Sequence, residues 1–206
     1  ERRITGPDRG FGDQLGREGF AGFLQRRGFK TAMISPFGQR HAAWHFYAGF
    51  NEIHNTGKNG MESAEDVTPT VETWLDTHAH EDNWYLHINY WDIHTPYRAP
   101  NSYGDPFSDE PLPDWLTEEV LEKHKQLVGP HTPLEISMWD DKVNPKYPRY
   151  PGRLDTMKDL RQMIDGYDTA IRYVDDQIAT IIGILERKGF LDDTAVNADL
   201  VLPIRM

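Results

Sequence analysis

Residues 84–100 read WYLHINYWDIHTPYRAP, and the rest of the chain is organised around this stretch. Large apolar or aromatic side chains occupy alternate positions in its first half, a pattern typical of a β-strand. A turn is predicted at Thr95-Pro96, because proline disfavours helical backbone in the residue before it. Asp92 and His94 are therefore expected just past the carboxyl end of a strand, where open α/β sheets bind ligands.

The segment nearest the amino terminus shows one helix followed by one strand. Apolar spacing predicts a helix over residues 13–27, with Gly28 placed as its C-terminal stop. Residues 29–35, FKTAMIS, then read as a buried strand. Residues 1–12 are charged and aperiodic and are interpreted as an arm, and residues 38–62 are interpreted as irregular.

A second helix precedes the strand at 84–90. Thr68 is predicted as its N-cap and Pro69 as its first helical residue, and the helix is expected to end near His80. Helix followed by strand, twice over, predicts an α/β fold with a mostly parallel sheet flanked by helices.

Downstream of the strand the pattern changes twice. Residues 95–151 hold ten of the fourteen prolines, which predicts a loop-rich cover with one helix near 117–128. From Arg153 onward, apolar residues recur every three or four positions, which predicts a long amphipathic helix. A break or kink is expected near Gly166 because the pattern exceeds the usual helix length, and Gly189 is predicted to end the helix. Residues 192–196 are expected to begin another strand.

Composition excludes several classes of function. The net charge of −11 disfavours a nucleic-acid partner, because general binding to nucleic acids requires a surface that neutralises phosphates. The absence of cysteine excludes disulfides, zinc–thiolate sites and a cysteine nucleophile. No apolar run approaches 18 residues, so no membrane span is expected.

His94 is the leading candidate for chemistry, because histidine changes charge near neutral pH and serves as an acid, a base or an anion contact. The alternative interpretation is a loop histidine that caps a carbonyl. The pairs His78/His80 and His41/His45 have spacings that occur in metal sites, but no carboxylate completes either set, so surface histidines are the preferred interpretation. The aspartates of the long helix are interpreted as a solvated face.

Four segments then carry a family resemblance. Residues 23–32, FLQRRGFKTA, resemble L-x-x-x-G-Y-x-T-A, and residues 49–51, GFN, resemble G-F-D. Residues 89–97, NYWDIHTPY, match x-D-P-H-x-P-Y, and residues 167–175, YDTAIRYVD, match Y-D-A-x-I-x-Y-x-D. With these motifs in this order over about residues 15–194, the chain resembles the sulfatases of the alkaline-phosphatase-like superfamily.

The resemblance implies hydrolysis of a sulfate ester in a sulfated small molecule or glycan. In that family a formylglycine, made from the C/S-x-P-x-R motif, attacks sulfur, and a calcium ion polarises the sulfate. His94 matches the family histidine that contacts the sulfate or the leaving oxygen. Asp92 is expected to bind substrate, and Arg40 or His41, in a segment that replaces the family's G-K-x-H, is expected to supply a cation.

The chain also departs from the family pattern. It has no C/S-x-P-x-R, no match to the early aspartate pair that binds calcium, and no D-H-G after Thr194. We therefore expect residues 1–206 to be an incomplete alkaline-phosphatase-like domain, inactive alone, with the nucleophile and the calcium ligands outside it. A phosphatase or phosphodiesterase of the same superfamily, or a non-catalytic binding domain, are the alternatives. A truncated sheet exposes strand edges, which predicts self-association.

Overall fold

The computed structural model describes residues 16, 18–35, 44–56, 58, 62–129, 132–136 and 145–198. Its helices are α1 (Phe20–Arg26), α2 (Ala64–His78), α3 (Glu118–Lys125) and α4 (Met157–Lys188). Its strands are β1 (Lys30–Ile34), β2 (Glu52–His54) and β3 (Trp84–Ile88). The predicted arm at 1–12 lies outside the described residues, as do Arg40 and His41.

The three strands form one sheet in the order β2-β1-β3, and both pairings are parallel. Ala32 of β1 lies opposite Leu86 of β3 on one side and Glu52 of β2 on the other. The predicted α/β fold with a parallel sheet is thus confirmed. The prediction missed β2, which has only three residues and no alternating pattern of its own.

Pairing with β1 positions β2. Residues 49–51, which directly precede β2, contact both β1 and α1. The Asn51 side chain accepts hydrogen bonds from the backbone N–H of Thr31 (2.9 Å) and from its hydroxyl (3.0 Å), and Asn51 N–H donates to Thr31 O (2.8 Å). Gly49 has φ +87°, and a Cβ there would lie 2.5 Å from the backbone nitrogen of Gly22 in α1. Glycine is therefore required where this turn meets α1.

Alternate residues of the sheet face different layers, as the strand pattern predicted. Ala32, Ile34, Leu86 and Ile88 pack against α2 and α4 in the main core. On the opposite face, Tyr85 meets the Phe20 ring of α1 edge-on, with ring centroids 5.4 Å apart. The buried valine, leucine and isoleucine side chains of the main core each contribute roughly 1.5–3 kcal/mol. They are Ile34, Val67, Val71, Leu75, Ile181, Ile184 and Leu185.

The start of α2 differs from the prediction. The helix begins at Ala64 with Ser63 as its N-cap, so Thr68 and Pro69 lie inside it. Asp66 accepts hydrogen bonds from Ser63 N–H (3.2 Å) and from its hydroxyl (3.3 Å), which fixes the first turn one turn earlier than predicted. The helix ends at His78, two residues before the expected end.

The long helix α4 is continuous over 32 residues, so the chain does not break near Gly166. Gly166 instead allows a close approach, because a Cβ there would lie 2.6 Å from Arg149 O in the loop layer. The end at Gly189 is confirmed: it adopts φ +75°, the left-handed conformation of a helix stop. In the described part of the chain no helix has both the length and the apolar character needed to cross a membrane.

The expected strand at 192–196 is absent from the described residues. Leu191–Asp193 form a 3-10 turn instead, and Thr194 N–H donates to Leu191 O (3.1 Å). The helix predicted near 117–128 is confirmed as α3, where the Thr117 hydroxyl accepts from Val120 N–H (3.3 Å). Among the described strands, β2 and β3 each pair on one side only, and self-association through these edges stays a prediction.

Gly166→Ala is expected to destabilise the protein by roughly 1–3 kcal/mol, because the added methyl group must displace the Arg149 backbone or shift α4. Gly183→Ala on the same helix is the matched control, since its Cβ would meet only the flexible Arg187 guanidinium at 3.3 Å. The control is expected to be neutral or stabilising by up to about 1 kcal/mol. Urea unfolding measures both, and equal free energies of unfolding for the two variants would contradict the close-approach argument.

Candidate functional site

The loop after β3 is the candidate site, and local hydrogen bonds fix its shape. Pairing with β1 continues for one residue, since Asn89 N–H donates to Ile34 O (3.1 Å). The chain then closes on itself through His94 N–H to Trp91 O (3.2 Å) and Arg98 N–H to Asp92 O (3.0 Å). We call residues 91–98 the His94 loop. It lies at the carboxyl ends of the parallel strands, as the sequence predicted.

His94 is solvent-exposed and its ring is held on two sides. The ring stacks on the Trp91 indole, with centroids 4.5 Å apart and planes 16° from parallel. Its Nδ1 lies 2.9 Å from Thr95 O. A carbonyl oxygen only accepts, so Nδ1 carries the hydrogen and Nε2 is the acceptor of the neutral ring. Protonation therefore converts Nε2 from an acceptor into a charged donor.

Asp92 lies beneath the surface, with none of its area exposed. Its Oδ1 accepts a hydrogen bond from the backbone N–H of Ala64, the first residue of α2, at 2.9 Å. Its Oδ2 has no hydrogen-bond partner among the described residues. Burial raises the pKa of Asp92 to about 6, although the Ala64 N–H and the charge of Arg98 oppose the shift. The substrate contact predicted for Asp92 stays a prediction, and in this structure the carboxylate faces the protein interior.

Arg98 is a residue of this site that sequence reasoning missed. It is 2% exposed, and its Nη1 donates to the backbone oxygens of Trp91 (2.8 Å) and His94 (3.2 Å). The guanidinium therefore joins the two residues whose rings stack. No local pattern distinguishes this arginine from a surface arginine, so only its position in the folded loop reveals its role.

A polar network behind the loop ties the end of β3 to both long helices. Thr68 of α2 shares a 2.8 Å hydrogen bond with the Tyr90 hydroxyl and donates to Oε1 of Gln177 in α4 (2.8 Å). Burial raises the pKa of Tyr90 to about 12, so its hydroxyl keeps its proton at neutral pH. This network holds in place the residue that precedes the His94 loop.

A cavity of about 350 Å³ lies on the other side of the loop. Thr95 and Tyr97 of the His94 loop, Val120 and His124 of α3, and Leu160 and Met163 of α4 are among its lining residues. Pockets that bind small organic molecules begin near this volume and share this mostly apolar lining.

The remaining candidate residues are placed elsewhere or are not described. His78 lies near the opposite end of the strands, where its Nδ1 is 2.9 Å from both Lys30 Nζ and Glu81 Oε1. On α4, Arg172 pairs with Asp176 at 3.5 Å on the surface, in agreement with a solvated face. Within the described residues, no group of three or more His, Cys, Asp or Glu side chains is arranged to hold a metal ion.

The raised pKa of Asp92 predicts a specific dependence of stability on pH. The folded carboxyl, with a pKa of about 6 against the ordinary value of 3.8, holds its proton more tightly than the unfolded one. Its contribution to stability is therefore present below about pH 4 and is lost as the pH rises through 6, by about 3 kcal/mol in all. Urea unfolding of the wild type and of Asp92→Asn from pH 4 to 7 should show this difference. Parallel pH profiles for the two proteins would contradict it.

A comparison with protein families matches residues 4–197 to the family described as Sulfatase. Neither the curated proteins nor the solved structures contain a significant match to this chain. The small all-parallel sheet flanked by helices is consistent with the α/β, alkaline-phosphatase-like fold expected from the sequence. The match spans almost the whole chain, and this protein therefore belongs to the sulfatase family.

Proposed function

We propose that this chain supplies part of a site that hydrolyses a sulfate ester, and that His94 contacts the sulfate or the leaving oxygen. Membership of the family supports sulfatase-type chemistry. The observation that carries the role of His94 is its placement: an exposed imidazole at the carboxyl end of β3, held by Trp91 and Thr95.

Because the hydrogen on Nδ1 points to Thr95 O, Nε2 is the ring nitrogen that we propose contacts an anion. When the imidazole is protonated, Nε2 presents a charged N–H to a sulfate oxygen. Negative charge develops on the leaving oxygen as the sulfur–oxygen bond breaks, and a positioned acid there both stabilises that charge and transfers a proton. The neutral ring accepts at Nε2 and does neither.

The substrate we propose is a sulfated small molecule or glycan. The cavity of about 350 Å³ shares Thr95 with the His94 loop and offers room for the organic part of such an ester. Because the net charge of the chain is −11, we propose that binding of an anion relies on specific hydrogen-bond donors rather than on the overall electrostatic field.

The nucleophile and the metal are the missing parts of this site. The printed sequence contains no C/S-x-P-x-R. The sulfatase family generally uses a metal, but the described residues do not fit one, because they contain no cluster of three potential ligands. We propose that His94 requires a nucleophile and a metal cradle that these residues do not supply.

Binding of inorganic sulfate tests the role of His94. His94→Ala is expected to weaken binding about tenfold or more, the loss of one hydrogen bond to a charged group. Wild-type binding should weaken as the pH rises and the ring loses its proton, and His94→Gln should lose this dependence. An NMR titration with sulfate, with ionic strength held constant by chloride, measures both.

His80→Gln is the matched control for this titration, since His80 is also exposed but lies just past the far end of α2. It should bind sulfate as the wild type does. Equal affinity of His94→Ala and wild type would contradict the proposed contact.

An assay of ester hydrolysis tests the proposal that this chain is inactive alone. The 206-residue chain, with and without calcium, is expected to leave both 4-nitrophenyl sulfate and 4-nitrophenyl phosphate unchanged, because its sequence carries no formylglycine motif. Release of 4-nitrophenol is followed by absorbance, with His94→Ala as the reference for background. Turnover of the sulfate that depends on His94 would contradict the proposed inactivity, and turnover of the phosphate alone would favour a phosphatase.

A further inference from the structure

We infer that Asp92 is a positioning residue: its buried carboxylate fixes the His94 loop to the first turn of α2 and thereby sets where the His94 ring lies. This inference deepens the function proposed for the site and rests on it, because positioning matters to catalysis only if His94 contacts the substrate.

Asp92 is attached to two elements at once. Its side-chain Oδ1 accepts from Ala64 N–H of α2 at 2.9 Å, and its backbone oxygen accepts from Arg98 N–H at 3.0 Å. The first N–H groups of a helix have no acceptor within the helix, so this carboxylate supplies one. Residue 92 thus anchors the loop to a helix through its side chain while it closes the loop through its backbone.

Arg98 links Asp92 to His94 through hydrogen bonds. Its Nη1 donates to the backbone oxygens of both Trp91 and His94, at 2.8 and 3.2 Å. Trp91 is the ring on which His94 stacks, at 4.5 Å. A continuous set of contacts therefore runs from α2 through Asp92 and Arg98 to the imidazole.

The energetics favour a positional role over a purely stabilising one. A carboxylate without exposed area costs free energy to bury, and its Oδ2 lacks a hydrogen-bond partner among the described residues. The first turn of α2 is already held by Ser63 and Asp66, so its helix start does not depend on Asp92. The charged groups that act on this carboxylate are Arg98, which favours ionisation, and Asp66, which opposes it.

Site geometry must hold within about 0.5 Å for catalysis, and buried anchors of this kind supply such precision. The backbone hydrogen bonds within the loop restrain its shape. The Asp92–Ala64 hydrogen bond adds a restraint on the position of the loop relative to α2.

The test uses the His94 ring signals in NMR spectra, including the ring-current shift from Trp91, alongside the dissociation constant for inorganic sulfate. Asp92→Ala is expected to shift the His94 signals and to raise the sulfate dissociation constant at least threefold. Asp92→Asn retains an oxygen that accepts from Ala64 N–H, so its His94 signals should match the wild type and its affinity should stay within twofold.

Val71→Ala is the matched control, because it removes buried volume from α2 without touching the loop. It should lower the unfolding midpoint and leave the His94 signals unchanged, which separates positioning from a general loss of stability. Unchanged His94 signals in Asp92→Ala would overturn the inference.

If Asp92→Ala fails to fold, Ala64→Pro breaks the same bond from the helix side, since proline is favoured at the first helical position and has no N–H. The same displacement of the His94 signals is expected, and its absence would again overturn the inference. If those signals move while His94→Ala binds sulfate normally, the positioning stands and the proposed function alone fails.

Discussion

The parallel pairing of β1 with β3 is the interaction on which the rest of this structure depends. Its register places Ile34 opposite Ile88, so both strands end at the same edge of the sheet. Alternate side chains of β3 then enter the core shared with α2 and α4, while Tyr85 turns toward α1. A shift of one residue would exchange these faces, because the side-chain period of a strand is two. The pairing therefore fixes both the core and the position of the His94 loop.

Close backbone approaches set the position of the layers around this sheet. Gly49 lets the turn before β2 lie against α1, and Gly166 lets the Arg149 segment lie directly on α4. Arg149 is itself buried and donates to the backbone oxygen of Pro100 (3.2 Å) and to Asp105. These bonds join the two ends of the loop-rich cover, residues 95–151. These contacts hold the proline-rich segment against α4, beside the cavity that Thr95 lines.

The His94 loop combines an exposed imidazole with two buried charges. Asp92 and Arg98 cost free energy to bury, and each makes hydrogen bonds to backbone groups rather than to solvent. Buried polar groups that are paired in this way specify one arrangement more sharply than apolar packing does. The exposed histidine is therefore carried by a loop that buried hydrogen bonds restrain, as its proposed contact with a sulfate oxygen would require.

The sequence by itself determined the elements whose signals are local. Alternation gave β3, three- and four-residue spacing gave α4, and Thr117 and Gly189 marked helix ends, because each of these signals lies within one or two turns of chain. Only the tertiary structure decided the short strand β2, the inward direction of Asp92 and the close approach that Gly166 permits. The bonds involved join residues far apart in the chain, 28 positions for Asp92 with Ala64 and 20 for Thr31 with Asn51. No periodic pattern records such pairs, since they arise only when the layers pack.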